Sequence, residues 1–402
     1  MDLVQTIRRL ASTQYQDIVA LRRHIHAHPE LSFEEKETAA LVARELEYLG
    51  IDVQPHVAGH GVVGLLKGDN ISPNSPTIAL RADMDALPIH EENEVDYRSA
   101  NPGVMHACGH DVHTSSLLGT ARILSQLKSE LAGTIKFIFQ PAEEKFPGGA
   151  SLMIKAGVLE HPHVDAIIGQ HVQPYIEHGK VGIRSGMYMA SADEIYLTVR
   201  GKGGHAAHPA TFIDPVTATA QILVALQQVV SRSDPRIPSV LSFGKIIAEG
   251  ATNVIPDQVY VEGTFRTMDE PWRAEAHLRI ERIIKHTAEA FGCVAELNLV
   301  KGYPVLFNDE AVTARTKAVI SSYVGEENVQ ELDLWMAAED FAYYTHEAPG
   351  CFYRLGTRNE ARGIVHGLHT SRFDIEESAL EVSTGLMAWV AINELRAQAS
   401  RS

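Results

Sequence analysis

The 402 residues are enough for two or three domains, and with 45% hydrophobic and 21% charged residues the chain can bury a large core. A formal net charge of −16 argues against nucleic acid or an anionic membrane as a partner, since both need a basic surface. The three separated cysteines Cys108, Cys293 and Cys351 argue against a disulfide framework and a zinc finger. No signal peptide or membrane-length apolar run is recognisable, so the sequence predicts a cytoplasmic protein.

The first part of the chain alternates helical and strand patterns. Helical spacing over Gln5–Glu47, broken at His28-Pro29-Glu30, predicts two helices. A further helix is predicted over His113–Leu131, with Asp111 or Thr114 as its N-cap. Apolar runs predict the intervening strands Gly61–Lys67, Thr77–Arg81, Gly133–Gln140 and Ala166–Gln170. This order predicts an α/β domain with a mostly parallel sheet flanked by helices.

The pattern changes after Ser185. Predicted strands and helices now follow the order βαββαβ, which is typical of a ferredoxin-like α+β domain. The elements are Glu194–Arg200, Asp214–Ser231, Val240–Ala248, Gln258–Thr267, Glu270–Phe291 and Val294–Val300. We therefore predict a catalytic domain in two parts, residues 1–185 and 303–402, with residues 186–302 inserted as a lid or dimerisation domain.

Three short clusters contain the side chains that can hold a metal ion. They are Met105–His113, Gln140–Glu144 and His369–Phe373, and His171 at a strand end adds a fourth position. Thiolate, imidazole and carboxylate donors together suit zinc and related divalent cations. Because ligands of α/β domains bind where strands end and helices begin, these residues are expected to meet at one site.

The residue types and spacing within the clusters predict which side chains bind a cation and which one transfers a proton. Cys108 and His110 flank a glycine that lets the backbone turn, so both side chains can point into one pocket, and a thiolate can bridge two cations. Of the adjacent Glu143 and Glu144, one can bind a cation while the other takes a proton from water. We expect His106 and His113 to hold other groups in place.

With these motifs the sequence resembles the M20 metallopeptidase/amidohydrolase family, in the branch of N-acyl amino acid, hippurate and indole-3-acetyl amino acid amidohydrolases. The matching segments span nearly the whole chain in the order of the family. They are Arg81–Pro88, Met105–Thr114, Gln140–Glu144, Gly201–His205, Thr252–Pro256, Ala338–Phe341 and His369–Phe373.

The resemblance implies two divalent cations per subunit, of zinc, manganese, cobalt or nickel. Cys108 would bridge them, Glu143 would be the general base, and the remaining ligands would be His110 and His171 on one cation and Glu144 and His369 on the other. Asp85 matches the aspartate of the family's His-x-Asp motif, which orients a ligand. Asp83 stands where that motif has its histidine, a departure that leaves the roles of Asp83 and Asp85 open.

The resemblance also implies roles for the inserted domain. His205 would polarise the scissile carbonyl, in its own subunit or in a partner's, and Asn253 and Arg266 would bind the free carboxylate of the substrate. A β-turn asparagine and a surface arginine on a strand are the alternatives for the last two. A homodimer or homotetramer is implied as well.

The predicted function is metal-dependent hydrolysis of N-acyl amino acids, carrying acetyl, benzoyl or similar groups. The alternative is a metallo-carboxypeptidase or dipeptidase acting on short peptides. A nucleotide-binding interpretation of Gly201-Lys202-Gly203-Gly204-His205 fails, because no acidic residue follows near 20 positions on and Pro209 comes too soon. Glu143, which catalysis needs and metal binding does not, argues against a non-catalytic metal-binding protein.

Overall fold

The computed structural model describes residues 2–400. The α-helices of this part are α1 (Leu3–Ala27), α2 (Lys36–Tyr48), α3 (His110–Ser125), α4 (Gly149–Lys155), α5 (Pro215–Ser231), α6 (Glu270–Ala290), α7 (Glu310–Val324), α8 (Ala342–Glu347) and α9 (Ala379–Ala399). The strands are β1 (Asp52–Val57), β2 (Gly61–Lys67), β3 (Thr77–Asp83), β4 (Thr134–Gln140), β5 (Ala166–Glu177), β6 (Val181–Ile183), β7 (Gly186–Met189), β8 (Asp193–Arg200), β9 (Gly204–His205), β10 (Ser239–Ile247), β11 (Val254–Ile255), β12 (Gln258–Thr267), β13 (Val294–Lys301), β14 (Leu306–Asn308), β15 (Val329–Glu331) and β16 (Gly350–Arg358).

The chain forms two compact units. The first runs up to Gly186 and also contains Phe307–Asp333 and the residues from Asp340 onwards. The second contains Met187–Leu306 and the short segment Leu334–Glu339. The sequence predicts an insertion over residues 186–302, and Leu334–Glu339 lies outside that range but packs with it. The lid and dimerisation roles of the second unit remain predictions.

The first unit is built on an eight-stranded sheet in the order β1-β2-β4-β3-β5-β16-β6-β15. Its centre is parallel, since β4 pairs with β3, β3 with β5, and β5 with β16 in that sense. All residues of β3 and β4 are buried, as expected for parallel strands covered on both faces. Helices α3 and α9 pack on β3 and on each other. The predicted α/β fold with a mostly parallel sheet is confirmed.

Helix α3 begins earlier than the sequence analysis predicted. Gly109 precedes it with φ +86°, and a β-carbon there would lie 2.4 Å from Val172 Cγ2, so only glycine fits. The helix therefore starts at His110, and neither Asp111 nor Thr114 is its N-cap, so that prediction was wrong. The Asp111 carboxylate instead accepts hydrogen bonds from Arg22 and His26. The helix ends at Ser125, short of the predicted Leu131.

The second unit contains a four-stranded antiparallel sheet in the order β10-β12-β8-β13. Helices α5 and α6 pack on it, and apolar residues of both helices form its core with the buried side chains of β8. Asp214 and Asp269 cap the two helices through their side chains. At one end of the sheet, the buried Asp193 of β8 pairs with Arg273 of α6. The predicted ferredoxin-like βαββαβ arrangement is confirmed.

None of the helices among residues 2–400 combines the length and apolar character needed to cross a bilayer.

Candidate metal centre

Five predicted ligands of the first unit lie together where strands β3, β4 and β5 approach the start of α3. Cys108 and His110 flank Gly109 at the helix start, Glu144 follows β4, and His171 lies within β5. His369 comes from the loop before α9. This loop is anchored beside Cys108, because the His369 backbone N–H donates to the Ala107 carbonyl at 2.8 Å. His369 adopts a left-handed backbone with φ +60° to do so.

Two groups of three donor atoms share Cys108, and another group joins His110 with Glu143 and Glu144. In the first, Cys108, His110 and His171 are buried, and their ligand atoms all lie within 4.8 Å of one another. Within it, Cys108 Sγ is 3.4 Å from His171 Nε2. The second group contains Cys108, Glu144 and His369 within the same 4.8 Å limit. Cys108 is the member that the two groups share.

The second group is more open to solvent than the first. His369 Nε2 lies 3.4 Å from Cys108 Sγ and 3.2 Å from Glu144 Oε1. The side chain of His369 is 52% exposed and that of Glu144 14%. A small molecule could therefore reach this half of the cluster, whereas the other half is enclosed.

The His110 imidazole is oriented by Asp85. His110 Nδ1 lies 3.2 Å from Asp85 Oδ1, which accepts its proton. In the neutral ring, which is the form that binds a cation, that hydrogen bond leaves the lone pair on Nε2. This buried atom has no hydrogen-bond partner among the described residues and lies 3.7 Å from Asp83 Oδ2. A carboxylate behind an imidazole whose other nitrogen is left open is the usual support of a metal-binding histidine.

The charges around the cluster also favour a cation. Burial raises the pKa of the Cys108 thiol well above its usual range, and the carboxylates of Glu144, Glu143 and Asp83 raise it further. Burial alone would lower the pKa of His110, but Asp83 and Asp85 outweigh it and raise this pKa to about 10. Divalent cations would relieve this excess of negative charge, so the donor set fits ions of the zinc type.

The loop that carries Glu143 and Glu144 is held by its backbone. Asp85 Oδ1 and Oδ2 accept hydrogen bonds from the backbone N–H groups of Glu143 and Glu144, each at 3.0 Å. The Glu143 carboxylate in turn accepts the Asp340 backbone N–H at 3.4 Å. The same Asp85 therefore orients His110 and fixes the two adjacent glutamates.

A second carboxylate network secures the strand ends. Asp83 accepts hydrogen bonds from Arg81 at 2.6 Å and from His113 Nδ1 at 2.6 Å. His113 Nε2 accepts the Val172 backbone N–H at 2.9 Å, so both ring nitrogens are engaged and the proton lies on Nδ1. Asp83 and His113 thus tie β3 to β5, next to His171. His106 is buried, and burial lowers its pKa to about 3.

Of the three site residues predicted in the second unit, His205 lies on β9, Asn253 in the turn before β11, and Arg266 on β12. His205 and Val254 pair between β9 and β11, and the Asn253 carbonyl accepts the Ala206 backbone N–H at 3.0 Å. His205 Nδ1 accepts the Ala207 backbone N–H at 3.1 Å, which places the proton of the neutral ring on Nε2. Arg266, on β12, donates to the Met336 carbonyl at 3.2 Å, and burial lowers its pKa.

Some supporting residues were not assigned a role from the sequence. Gln140 and Arg81 both bond the buried carboxylate of Asp340, and the Ala142 backbone N–H donates to Glu35 Oε1 at 2.6 Å. Ser32 donates to Asp85 at 2.6 Å. Glu35 lies in a segment of mixed charge that resembles an ordinary helix start, so only its burial in the fold distinguishes it.

A mixed α/β domain with two overlapping donor groups at its strand ends has the arrangement expected of a metal-dependent hydrolase. Residues 79–392 match the sequence profile of Peptidase family M20/M25/M40. An N-acyl-L-amino acid amidohydrolase of Geobacillus stearothermophilus is 46% identical over 308 residues, which cover 76% of this chain and 82% of that protein. Thermostable carboxypeptidase 2 of Saccharolobus solfataricus is 38% identical over 398 residues, which cover 98% of this chain and 99% of that protein.

The chain is also similar to a solved structure of the same family. A dinuclear metal-binding peptidase of the M20 family from Bacillus subtilis matches with a TM-score of 0.83 and 34% identity, covering 96% of this chain and 99% of that one. The chain belongs to the M20/M25/M40 peptidase family. It is a hydrolase that acts on amide bonds.

Proposed function

We propose that the protein hydrolyses the amide bond of N-acyl amino acids at a dinuclear centre. The observation that carries this proposal is the sharing of Cys108 by two donor groups, with Glu143 beside the ligand Glu144. In this assignment Cys108, His110 and His171 hold one divalent cation, and Cys108, Glu144 and His369 hold the other. Zinc, manganese, cobalt and nickel all suit these donors.

The bound cations would supply Lewis acidity that polarises the amide carbonyl and acidifies a water molecule. Glu143 takes the proton of the attacking water and returns it to the leaving nitrogen, so that the amine departs neutral. The hydrogen bond from the Asp340 backbone N–H to Glu143 supports this role, because it aims a carboxylate that is not needed as a ligand. His205 Nε2–H, in its own subunit or in a partner's, would donate to the carbonyl oxygen as negative charge develops there.

The proposed substrate class depends on the relatives and on the basic side chain of β12. The Geobacillus amidohydrolase, at 46% identity, supports N-acyl amino acids. Asn253 and Arg266 would bind the free carboxylate that all such substrates carry, the guanidinium by a charge-assisted hydrogen bond. We also propose that the protein forms a homodimer or homotetramer and that it is located in the cytoplasm.

A carboxypeptidase or dipeptidase activity is the second candidate. It is favoured by the 38% identity to thermostable carboxypeptidase 2 over nearly the whole of both chains. The same chemistry would serve, since a peptide is also an amide with a free carboxylate beyond the scissile bond. The two candidates differ only in the group that occupies the acyl side.

The deciding experiment removes metals with a chelator, restores each divalent cation in turn, and measures amino acid release. N-acetyl-L-methionine, N-benzoylglycine and indole-3-acetyl-alanine represent the first candidate, and dipeptides and tripeptides the second. We expect cation-dependent release from the acyl amino acids at a higher kcat/KM than from any peptide. Higher kcat/KM for peptides would favour the second candidate, and no release from either class would refute both.

The role of Glu143 is tested in the same assay. Glu143→Gln cannot accept a proton, so kcat should fall by about 10²- to 10⁴-fold while both cations stay bound. Glu347→Gln, at an exposed position of α8, is the matched control and should keep wild-type turnover. Near-normal kcat in a metal-loaded Glu143→Gln enzyme would remove Glu143 from the mechanism.

A further inference from the structure

Glu35 has an unusual environment for a residue at the start of a helix. It immediately precedes α2 and is completely buried. Its Oε1 accepts the Ala142 backbone N–H at 2.6 Å, and its Oε2 has no hydrogen-bond partner among the described residues. Burying a carboxyl group whose second oxygen is unsatisfied opposes folding. The contact with Ala142 is therefore the feature that distinguishes this residue.

Ala142 needs an anchor because of its backbone. Its φ of +52° lies in the left-handed region, which an alanine side chain disfavours. Glu35 holds the N–H side of this residue, and the Ala142 carbonyl accepts the Gly149 backbone N–H at 2.9 Å on the other side. Both peptide groups of Ala142 are thus tied to neighbouring elements.

Glu143 and Glu144 follow Ala142 directly, so the Ala142 conformation sets the direction in which both side chains leave the backbone. Asp85 accepts hydrogen bonds from their two backbone N–H groups. Glu35 and Asp85 together bond three consecutive backbone N–H groups, those of Ala142, Glu143 and Glu144. A loop held at each of three consecutive residues can keep a base and a ligand in separate places.

We propose that Glu35 is a positioning residue of the hydrolytic site, which holds Ala142 in its left-handed conformation and thereby aims Glu143 and Glu144. This inference rests on the proposed function, because it assigns Glu144 as a ligand and Glu143 as the base. Glu35 itself touches neither cation nor substrate. It acts through its hydrogen bond with the Ala142 backbone N–H.

The protonation state of Glu35 does not change this role. Burial, and next the nearby Asp85 carboxylate, raise the pKa of Glu35 to about 7. Its carbonyl-type oxygen can accept the Ala142 N–H whether the group is ionised or neutral. Glu35→Gln keeps that acceptor, whereas Glu35→Ala removes it, so these two variants separate the hydrogen bond from the charge.

Two neighbouring glutamates provide matched controls. Glu30 caps α2, since its carboxylate accepts the backbone N–H groups of Glu37 at 3.0 Å and Thr38 at 2.8 Å. Glu30→Ala should therefore destabilise the same helix start without changing the Ala142 contact. Glu34 is exposed, and Glu34→Ala should change nothing.

The test measures Zn²⁺ affinity of each chelator-treated variant by titration calorimetry, together with kcat and KM. Glu35→Ala should weaken the more loosely held ion by about 10- to 100-fold and lower kcat more than it raises KM. Glu35→Gln should stay within about threefold of wild type in both measurements. Glu30→Ala should lower the melting temperature and leave both unchanged.

Adding Ala142→Gly to Glu35→Ala gives the decisive result. Glycine adopts positive φ without strain, so the double variant should recover up to about 5- to 30-fold of the lost affinity. Wild-type affinity and kcat in Glu35→Ala, or no recovery with glycine, would overturn the proposal. Zinc affinity is measured without a substrate. An enzyme that cleaves no acyl amino acid would therefore refute the proposed function and leave the Glu35 test intact.

Discussion

Asp85→Asn replaces a carboxylate that takes four hydrogen bonds by an amide that can accept on one side only. Oδ1 accepts His110 Nδ1–H at 3.2 Å and the Glu143 N–H at 3.0 Å. Oδ2 accepts the Ser32 hydroxyl at 2.6 Å and the Glu144 N–H at 3.0 Å. The new NH₂ group must face one of these two pairs of donors.

The two orientations of the new amide differ in energy. An NH₂ at the Oδ1 position would face two donors, and His110 could not move its proton to Nε2 without losing that atom as a ligand. If the NH₂ group takes the Oδ2 position, the Ser32 hydroxyl can rotate and accept a hydrogen bond from it. Only the Glu144 N–H is then left unpaired. We therefore expect the second orientation, at a cost of about 1.5–3 kcal/mol for one lost bond to a charged acceptor.

The loss falls on the loop that carries Glu144. Affinity for the ion assigned to Glu144 and His369 should drop by about 10- to 100-fold, while the ion assigned to His110 and His171 is less affected. Competition of the loaded variant with a chromogenic chelator measures both affinities. Wild-type affinity for both ions would refute this assignment of the Asp85 hydrogen bonds.

Asp165→Ala is the control for the loss of one such hydrogen bond to a backbone N–H. The Asp165 carboxylate accepts the Thr77 backbone N–H at 2.8 Å, at the opposite end of β3 from Asp83. This variant loses the same kind of bond and should be destabilised by a similar amount. Its metal affinity should equal that of the wild type, which separates loss of stability from loss of ligand geometry.

Three other substitutions test separate parts of the site. Cys108→Ala should lower the metal content below two ions per chain by elemental analysis, because both donor groups lose a member; two tightly held ions would exclude Cys108 as the bridge. His205→Ala should lower kcat by about 10²- to 10³-fold with little change in KM and with the metals still bound, and unchanged kcat would make it an ordinary turn residue. Arg266→Ala should lower kcat/KM by roughly 10- to 150-fold in steady-state assays. Amidating the substrate carboxylate should then lower kcat/KM little further, and a decrease as large as in the wild type would contradict the role of Arg266.

The sequence predicted the elements whose pattern is local. Apolar runs located β3 and β4, and the change of order after Ser185 indicated the ferredoxin-like second unit. The start of α3 could not be predicted, because Asp111 has the chemistry of an N-cap. Its carboxylate is instead occupied by Arg22, 89 residues earlier in the chain. An N-cap preference that is judged from neighbouring residues in the sequence cannot take account of a partner as distant as Arg22.

In the candidate site, too, local patterns could be predicted and contacts between distant segments could not. Cys108, His110, Glu143 and Glu144 could be selected as donors from their types and spacing. The hydrogen bonds that hold these residues in place could not be predicted, because their partners come from distant segments and bond backbone atoms. Glu35 is 107 residues from Ala142 and bonds its N–H, and no side-chain pattern records that contact.

The central claim is that two cations share the Cys108 thiolate. Anomalous diffraction from crystals of the zinc-loaded protein tests it most directly. We predict two peaks, each about 2.3 Å from Cys108 Sγ, one beside His110 and His171 and the other beside Glu144 and His369. A single peak, or two peaks of which one lies away from Cys108, would contradict the account.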